Sequence, residues 1–209
     1  MANLKLSADE VLTTTRAVRK RLDFERPVEI SVIKECLEIA LQAPMGSNNA
    51  RIRFIVVTDG DRRRALAELY LRFFREYREE FYPSTSSREQ FWTSTDHLAE
   101  HLHEVPVMVI PTWPRQRRLT KMPGHVPGAS VYPPIWSYML AARERGLGTC
   151  LTTGLLFYER EAANLLGVPY DDVAQYCLIP TAYTIGTDFK PTKRPPVEEF
   201  IHLDRWQNS

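Results

Sequence analysis

The sequence predicts an α+β fold, in which several helices pack on a few buried strands. Apolar residues recur at helical spacing through long charged stretches, of which residues 62–82 are the longest. The strand candidates are short, compact apolar runs at residues 54–58 and 105–110. Helices and strands in these proportions are typical of a layered domain. We expect one domain over residues 1–209, with a helical excursion or lid at 62–104 and an extended C-terminal tail at 188–209.

The N-terminal part predicts two helices and a strand. Ser7 is a candidate N-cap because Glu10 follows three residues later, which is the pattern of a capping box. This first helix leads into the arginine-rich residues 15–21. A second helix opens near Pro27 and stops at Pro44, and the strand at residues 54–58 follows it.

The middle and C-terminal parts continue the alternation. We predict a helix over residues 62–82, a loop at 83–88, a helix at 91–103, the strand at 105–110 and a loop at 113–127. A strongly apolar helix at 135–142 ends at Gly146, and a short helix at 159–166 is closed by Gly167. A strand at 174–183, partly interrupted by Pro180, precedes a polar tail with a basic cluster at 190–194.

Composition excludes several classes of partner. The chain has 27 Lys and Arg against 26 Asp and Glu, so it lacks the charge excess of a general nucleic-acid or anionic-membrane binder. No apolar run approaches the roughly 18 residues of a membrane span. The cysteines, Cys36, Cys150 and Cys177, are widely separated and show no zinc-ligand spacing, which suits a reducing compartment and inert packing. We expect a cytoplasmic protein with no nucleic-acid and no membrane partner.

Two short segments near the start indicate a cofactor site. The guanidinium groups of residues 15–21 can hold a phosphate by paired hydrogen bonds. The small residues of 43–49 form a turn that lets a flat ring lie close to backbone. Together they suggest a site for flavin mononucleotide (FMN).

The chain resembles the nitroreductase family of flavin enzymes in four segments that occur in the family's order. The resemblance leaves residues 71–131 poorly matched. The segments are Arg16-Ala17-Val18-Arg19; Ala43-Pro44-Met45-Gly46-Ser47-Asn48 with the strand after it; Gly146-Leu147-Gly148 with Thr152-Thr153-Gly154; and Lys193-Arg194-Pro195.

The resemblance implies a three-layer α/β/α fold with a central, mainly antiparallel sheet. It also implies a homodimer with FMN at the interface, passing a hydride from NADH or NADPH to a small-molecule electron acceptor such as a nitroaromatic or a quinone. In that chemistry the protein supplies no nucleophile, so we expect no catalytic side chain and no metal.

The family's cofactor-binding positions carry over residue by residue. Arg16 and Arg19 would hold the phosphate and the pyrimidine side of the flavin, and Arg19 would stabilise its reduced form. Lys193 or Arg194 would complete the phosphate pocket. The remaining positions are Ala17 and Val18 through backbone, Pro44, Met45 and Asn48 on the ring and ribityl chain, from the same or the other subunit, and Thr152, Thr153 and Gly154 towards the flavin N5 edge.

Three departures from the family bear on specificity more than on the flavin. Ala17 stands where a serine is common, Thr153 replaces an acidic residue of many bacterial members, and Ala50-Arg51-Ile52 replaces a frequent Gln-Pro-Trp. They leave the substrate and the nicotinamide preference open.

Other interpretations remain open at this stage. The protein could be a flavin sensor or storage module, or a specialised member with another electron donor or with dehalogenating or flavin-fragmenting chemistry. Arginines at 16–26 and 115–118 could contact nucleic acid, and Arg115, Arg117 and Arg118 could instead attract a nicotinamide phosphate.

Histidines and aromatics offer two further alternatives. His97 and His101, with Glu100 or Glu104, have the spacing of metal ligands but lack the HExxH order, which favours a solvated helix face. The aromatics of residues 70–92, with Trp113, are candidates for a substrate-pocket wall, and Phe73, Phe74 and Tyr77 equally for core or dimer interface.

Overall fold

The computed structural model describes residues 3–81, 89–115 and 126–206. The predicted loop at 83–88, the arginines Arg117 and Arg118 and the side chain of Trp92 lie outside the described residues.

Helices and strands alternate along the chain. The helices are α1 (Ala8–Thr14), α2 (Ile30–Ala40), α3 (Gly60–Phe81), α4 (Glu89–His101), α5 (Gly128–Glu144) and α6 (Glu159–Leu166). The strands are β1 (Leu22–Asp23), β2 (Arg53–Val57), β3 (Val107–Pro114), β4 (Leu147–Thr149), β5 (Val173–Gln175) and β6 (Ile179–Thr184). In the described residues no helix is both long enough and apolar enough to cross a membrane.

The central sheet is antiparallel in all its strand pairs. Strand β6 lies between β3 and β4, because Thr181 is opposite both Val107 and Thr149, and its end also pairs with β1. Strand β3 pairs with β2 along five positions and with β5 near its end. A single parallel bridge joins Ala17 to Thr149 at the edge formed by β4.

Two hydrophobic clusters, one on each face of the sheet, confirm the predicted three layers. Side chains alternate between the faces of a strand. On β3, Met108 and Ile110 therefore pack in the cluster that includes α3, α4 and α6, whereas Val107 and Val109 pack with α2 and α5. The α+β class and the layered architecture that the sequence predicted are both present.

The predicted start of α5 was wrong. The helix begins at Gly128 rather than at Ile135, and it contains Pro133 and Pro134. Each proline removes a helical N–H donor, so the sequence predicts that a helix does not continue through this segment. The helix continues through them because its inner face, including Tyr138 and Ala142, is fully buried against the sheet.

Several strand predictions also needed correction. The predicted strand at 174–183 is two strands, with Pro180 inside β6, where its carbonyl accepts a hydrogen bond from the Cys150 N–H at 3.3 Å. Trp113, predicted in a loop, belongs to β3. Strands β1 and β4 were not predicted, since two or three residues are too few to show a period of two.

Two helix ends follow the sequence prediction closely. The Glu10 N–H donates to Ser7 Oγ at 3.2 Å, and the Ser7 N–H donates to the Glu10 carboxylate at 2.7 Å, which completes the capping box of α1. Helix α6 spans the predicted residues and ends at Gly167, whose φ of 68° lies in the left-handed region that favours glycine.

Candidate functional site

A cleft of about 830 Å³ opens where the segment between α1 and β1 meets α5 and the C-terminal tail. We call it the basic cleft, because three arginines line it and none of its described lining residues is acidic. The arginines are Arg16, Arg19 and Arg194, and the apolar side chains of the wall include Trp136, Met139 and Leu151.

Backbone pairing positions the first two arginines. Helix α1 ends at Thr14, and the chain continues in extended conformation, with the Val18 N–H donating to the Thr149 carbonyl at 2.8 Å. Val18 is buried in the core. Because successive side chains of an extended chain point to opposite sides, Ala17 and Arg19 face away from the core and line the cleft.

Arg19 lies close to Cys150, which directly follows β4. Burial raises the pKa of the Cys150 thiol, and the positive charge of Arg19 and a hydrogen bond from it oppose that shift. Burial likewise raises the pKa of Cys36, to about 11, and that of Cys177. The three cysteines are free and buried, as expected for packing residues.

The C-terminal tail is anchored before it reaches the cleft. Arg21 donates to the Ile185 carbonyl at 2.8 Å and pairs with Asp188 at 2.5 Å, and this pairing lowers the pKa of Asp188. The buried Arg143 donates to the Thr187 carbonyl at 3.0 Å. These contacts fix the start of the tail on the body of the protein.

Beyond these anchors the tail is tied to Arg16. The Arg16 guanidinium donates to the Lys190 carbonyl and to the Thr192 hydroxyl. The tie brings Arg194 to the cleft, while Lys193 lies exposed beside it. The structure therefore brings the predicted residues from the two ends of the chain together.

The turn that carries Pro44, Met45 and Asn48 lies elsewhere. It is anchored to the start of α5, where the Gly46 N–H donates to Ser130 Oγ at 3.0 Å. From Ser130 to the cleft residue Trp136 is about 9 Å along the helix axis at the usual rise per residue. Within one chain, this turn does not line the basic cleft.

The predicted residues Thr152, Thr153 and Gly154 follow the cleft residue Leu151. The Thr152 backbone is held in both directions by Leu178, at 2.8 and 2.9 Å. Its hydroxyl is 3.0 Å from the hydroxyl of Tyr70 on α3. No local sequence pattern predicts this bond, because its partners are far apart in the chain.

Gly154 needs its lack of a side chain for packing. A Cβ at this position would lie 2.5 Å from Cδ1 of Phe73. The glycine therefore allows α3 to approach the turn closely.

The aromatic residues divide between core and surface. Tyr70, Phe73 and Phe74 are buried in the core, as one of the two alternatives for Phe73 and Phe74 expected, and Trp113 is only 4% exposed. A pocket wall formed by residues 70–92 stays a prediction. Phe157, which the sequence prediction missed, is 47% exposed, and its ring centroid lies 4.8 Å from that of Tyr77.

The histidines of α4 pack against an aromatic ring. His97 and His101 lie 4.5 Å apart between ring centroids, both stack on Phe24, and His101 bonds the Glu104 carboxylate at 2.6 Å. Burial lowers the pKa of His97. No cluster of three or more metal-binding side chains occurs among residues 3–81, 89–115 and 126–206.

The model of the nitroreductase family matches residues 12–183, which is most of the chain. The protein belongs to the nitroreductase family. No curated protein sequence matches it significantly.

Solved structures share its fold. The FMN- and NADPH-dependent nitroreductase NfnB from Sphigopyxis sp. strain HMH is 22% identical, with a TM-score of 0.71 over 98% of this chain and all of the other. An iodotyrosine deiodinase bound to FMN and 3-iodo-L-tyrosine is 20% identical, with a TM-score of 0.68 over 96% and 99% of the two chains. A BluB-like flavoprotein from Clostridium difficile 630 is 16% identical, with a TM-score of 0.70 over 96% of this chain and all of the other.

The structure places two of the residues that depart from the nitroreductase family pattern. Ala17 lines the basic cleft, so the hydroxyl that a serine would add there is missing from the cleft wall. Thr153 is exposed at the start of the short helix Gly154–Tyr158. Both side chains are exposed and lie outside the core.

Proposed function

We propose that this nitroreductase-family protein is an FMN-dependent oxidoreductase that takes electrons from NADH or NADPH and passes them to nitroaromatic, quinone or related acceptors. Family membership supports a flavin-dependent oxidoreductase. The observation that carries the proposal is the basic cleft, where three arginines meet an apolar wall.

The residues of the cleft fit a phosphorylated flavin. Guanidinium groups bind phosphate through paired, charge-assisted hydrogen bonds. Trp136, Met139 and Leu151 offer an apolar surface for a flat ring system. A cleft of about 830 Å³ falls within the usual range for sites of small molecules and cofactors.

FMN would supply the two-electron redox chemistry. We assign Arg16, Arg194 and the neighbouring Lys193 to the phosphate. Arg19 would offer positive charge to the pyrimidine side of the ring, and such a charge favours the reduced, more negative form of a flavin. Raising the reduction potential in this way makes electron uptake from a nicotinamide easier.

The other assigned residues shape the reaction surface. Ala17 and Val18 would contribute backbone, and Thr152, Thr153 and Gly154 would border the N5 edge. The apolar wall of the cleft would exclude water on its side of the ring, and donor and acceptor would use the open side in turn, which predicts ping-pong kinetics. No side-chain nucleophile is required, because the cofactor carries the electrons.

We further propose a homodimer with FMN at its interface, in which Pro44, Met45 and Asn48 of one copy complete the cleft of the other. The tail supports this proposal, because it exposes apolar side chains that a monomer leaves in water. These are Val197, Phe200, Ile201, Leu203 and Trp206. The three free cysteines support a cytoplasmic, reducing compartment.

Absorption spectra recorded under argon, with and without NADH or NADPH, test the proposed function. We expect the two-banded spectrum of a bound flavin, and bleaching when a nicotinamide is added. A flavin spectrum that neither nicotinamide changes would contradict the donor and favour a sensor or another electron source. A colourless protein that takes up no added FMN would contradict the proposal as a whole.

A further inference from the structure

We propose that residues 190–194 form a phosphate-dependent strap, which Arg16 ties across the basic cleft and which closes when a phosphate monoester binds there. This inference rests on the proposed function and deepens it. It assigns Thr192 as a positioning residue and makes retention of the cofactor depend on the C-terminal tail.

Arg16 joins the strap to the cleft by hydrogen bonds. Its guanidinium donates to the Lys190 carbonyl and to the Thr192 hydroxyl. A guanidinium has further N–H groups beyond those two, and they remain as donors to an anion. One side chain can therefore hold the strap and a phosphate together, so that binding of either one favours binding of the other.

The strap adds positive charge to the cleft. It brings Arg194, with Lys193 exposed beside it, to a cleft that already contains Arg16 and Arg19, whereas the charge of Lys190 interacts with Asp188. Like charges in one cleft repel each other, and no acidic residue is present among its described lining residues. A bound phosphate supplies the missing negative charge. Strap closure should therefore be weak without an anion and firm with one.

The anchors of the tail at Arg21 and Arg143 lie outside the strap. Arg21 and Arg143 fix residues 185–188, immediately before the strap, without using any cleft residue. Within the described residues, both hydrogen bonds of residues 190–194 come from Arg16. The strap can consequently open at Lys190 while the preceding segment stays in place.

The strap sequence offers a direct probe. Trypsin cleaves after lysine and arginine but not before proline, and Lys190 and Arg194 both precede prolines. Within the strap, only the bond after Lys193 is therefore open to cleavage. Mass spectrometry of the fragment that begins at Arg194 reports strap opening, separately from cuts elsewhere.

The experiment compares cleavage after Lys193 in the full-length apoprotein alone and with FMN, riboflavin or inorganic phosphate. Quenching of flavin fluorescence measures flavin binding in the same samples. At FMN concentrations about ten times Kd, we expect cleavage to slow about tenfold. Riboflavin lacks the phosphate and should not protect. Protection by inorganic phosphate would show that the anion alone closes the strap.

Variants separate the tie from general effects on folding. T192V should raise the FMN concentration that gives half-maximal protection about fivefold, the factor expected for one net hydrogen bond, and T192S should restore it. T187V is the matched control, since it makes the same change in the same tail at a residue of which only the carbonyl is used. It should behave as the unsubstituted protein.

Three results would overturn the strap. FMN binds without slowing cleavage, riboflavin protects as well as FMN does, or FMN protects T192V from cleavage as well as it protects T187V. Absence of any FMN quenching would instead contradict the proposed function itself.

Discussion

Arginine residues have contrasting roles in this protein, and the surroundings of each one set its role. Arg143 is buried and holds the tail, Arg21 pairs with Asp188, and Arg16, Arg19 and Arg194 line a cleft with no acidic neighbour in its described wall. The sequence predicted the cleft arginines from the family resemblance. It could not reveal Arg143, because a guanidinium that bonds a carbonyl far along the chain has no local pattern.

Loss of a cleft arginine should weaken the binding of FMN but not the binding of riboflavin. Arg194→Ala removes a charge that we assign to the phosphate, so FMN affinity should fall about 10- to 100-fold, the effect of losing a charge-assisted hydrogen bond. Riboflavin affinity should stay the same, since it has no phosphate. Fluorescence titration measures both. Arg62→Ala, at an exposed arginine next to Asp59, is the control, and equal losses for FMN and riboflavin would contradict the assignment.

Gly154 allows a test of packing near the site. A Cβ there would lie 2.5 Å from Phe73, in a buried environment where neither side can move freely. Gly154→Ala should therefore lower the free energy of unfolding by about 1–3 kcal/mol, as overpacking does. Urea unfolding measures it. Gly60→Ala, where the new Cβ meets the flexible ends of Arg64 and Arg63, should be as stable as the parent protein. A Gly154→Ala variant of unchanged stability would contradict the close approach.

Among the elements, α1 is the clearest case of local sequence control. Its capping box was readable because every interacting group lies within four residues. Helix α5 is the opposite case, since burial of its inner face overrides two prolines. Strands β1 and β4 form by pairing with β6, and β4 is also bridged to Ala17, so their own residues carry no signal.

The capping box of α1 should contribute to acid sensitivity. Hydrogen bonds from Ser7 lower the pKa of Glu10 in the folded protein. The stabilisation is therefore complete above the unfolded pKa of about 4.3 and is lost as the pH falls through the lower, folded pKa. Glu10→Gln does not titrate, so its stability should fall less between neutral and acidic pH. Urea unfolding at both pH values tests this, with Glu68→Gln as the charge control; equal pH dependence in Glu10→Gln and the parent would contradict it.

At the scale of the whole molecule, the sequence predicted the layers and the meeting of the two chain ends, but not the surface of the tail. The tail was expected to be extended and polar, yet Trp206 is 78% exposed and Phe200 65% exposed. In a segment of mixed composition, the sequence alone does not tell which apolar side chains are exposed, because exposure depends on the residues that pack beside the segment. The position of the turn at Pro44, remote from the cleft of its own chain, is also a property of the three-dimensional fold.

The tail gives a test of the proposed dimer. A Phe200→Ser, Trp206→Ser double variant removes two exposed apolar side chains that we expect a second copy to cover. It should shift light-scattering mass from dimer to monomer and reduce bound FMN. Leu165→Ser, at another exposed apolar residue, on α6, should change neither. A parent protein that is monomeric at all concentrations would rule out the dimer, and a double variant that stays dimeric would remove the tail from the interface.

Equilibrium titration of the apoprotein with FMN and, separately, with riboflavin tests whether the basic cleft binds the phosphate of a flavin through Arg16 and Arg194. We predict that FMN binds at least about 100-fold more tightly than riboflavin, because two or more charge-assisted hydrogen bonds reach only the phosphate. Equal affinity for the two flavins, or no binding of either one, would contradict it.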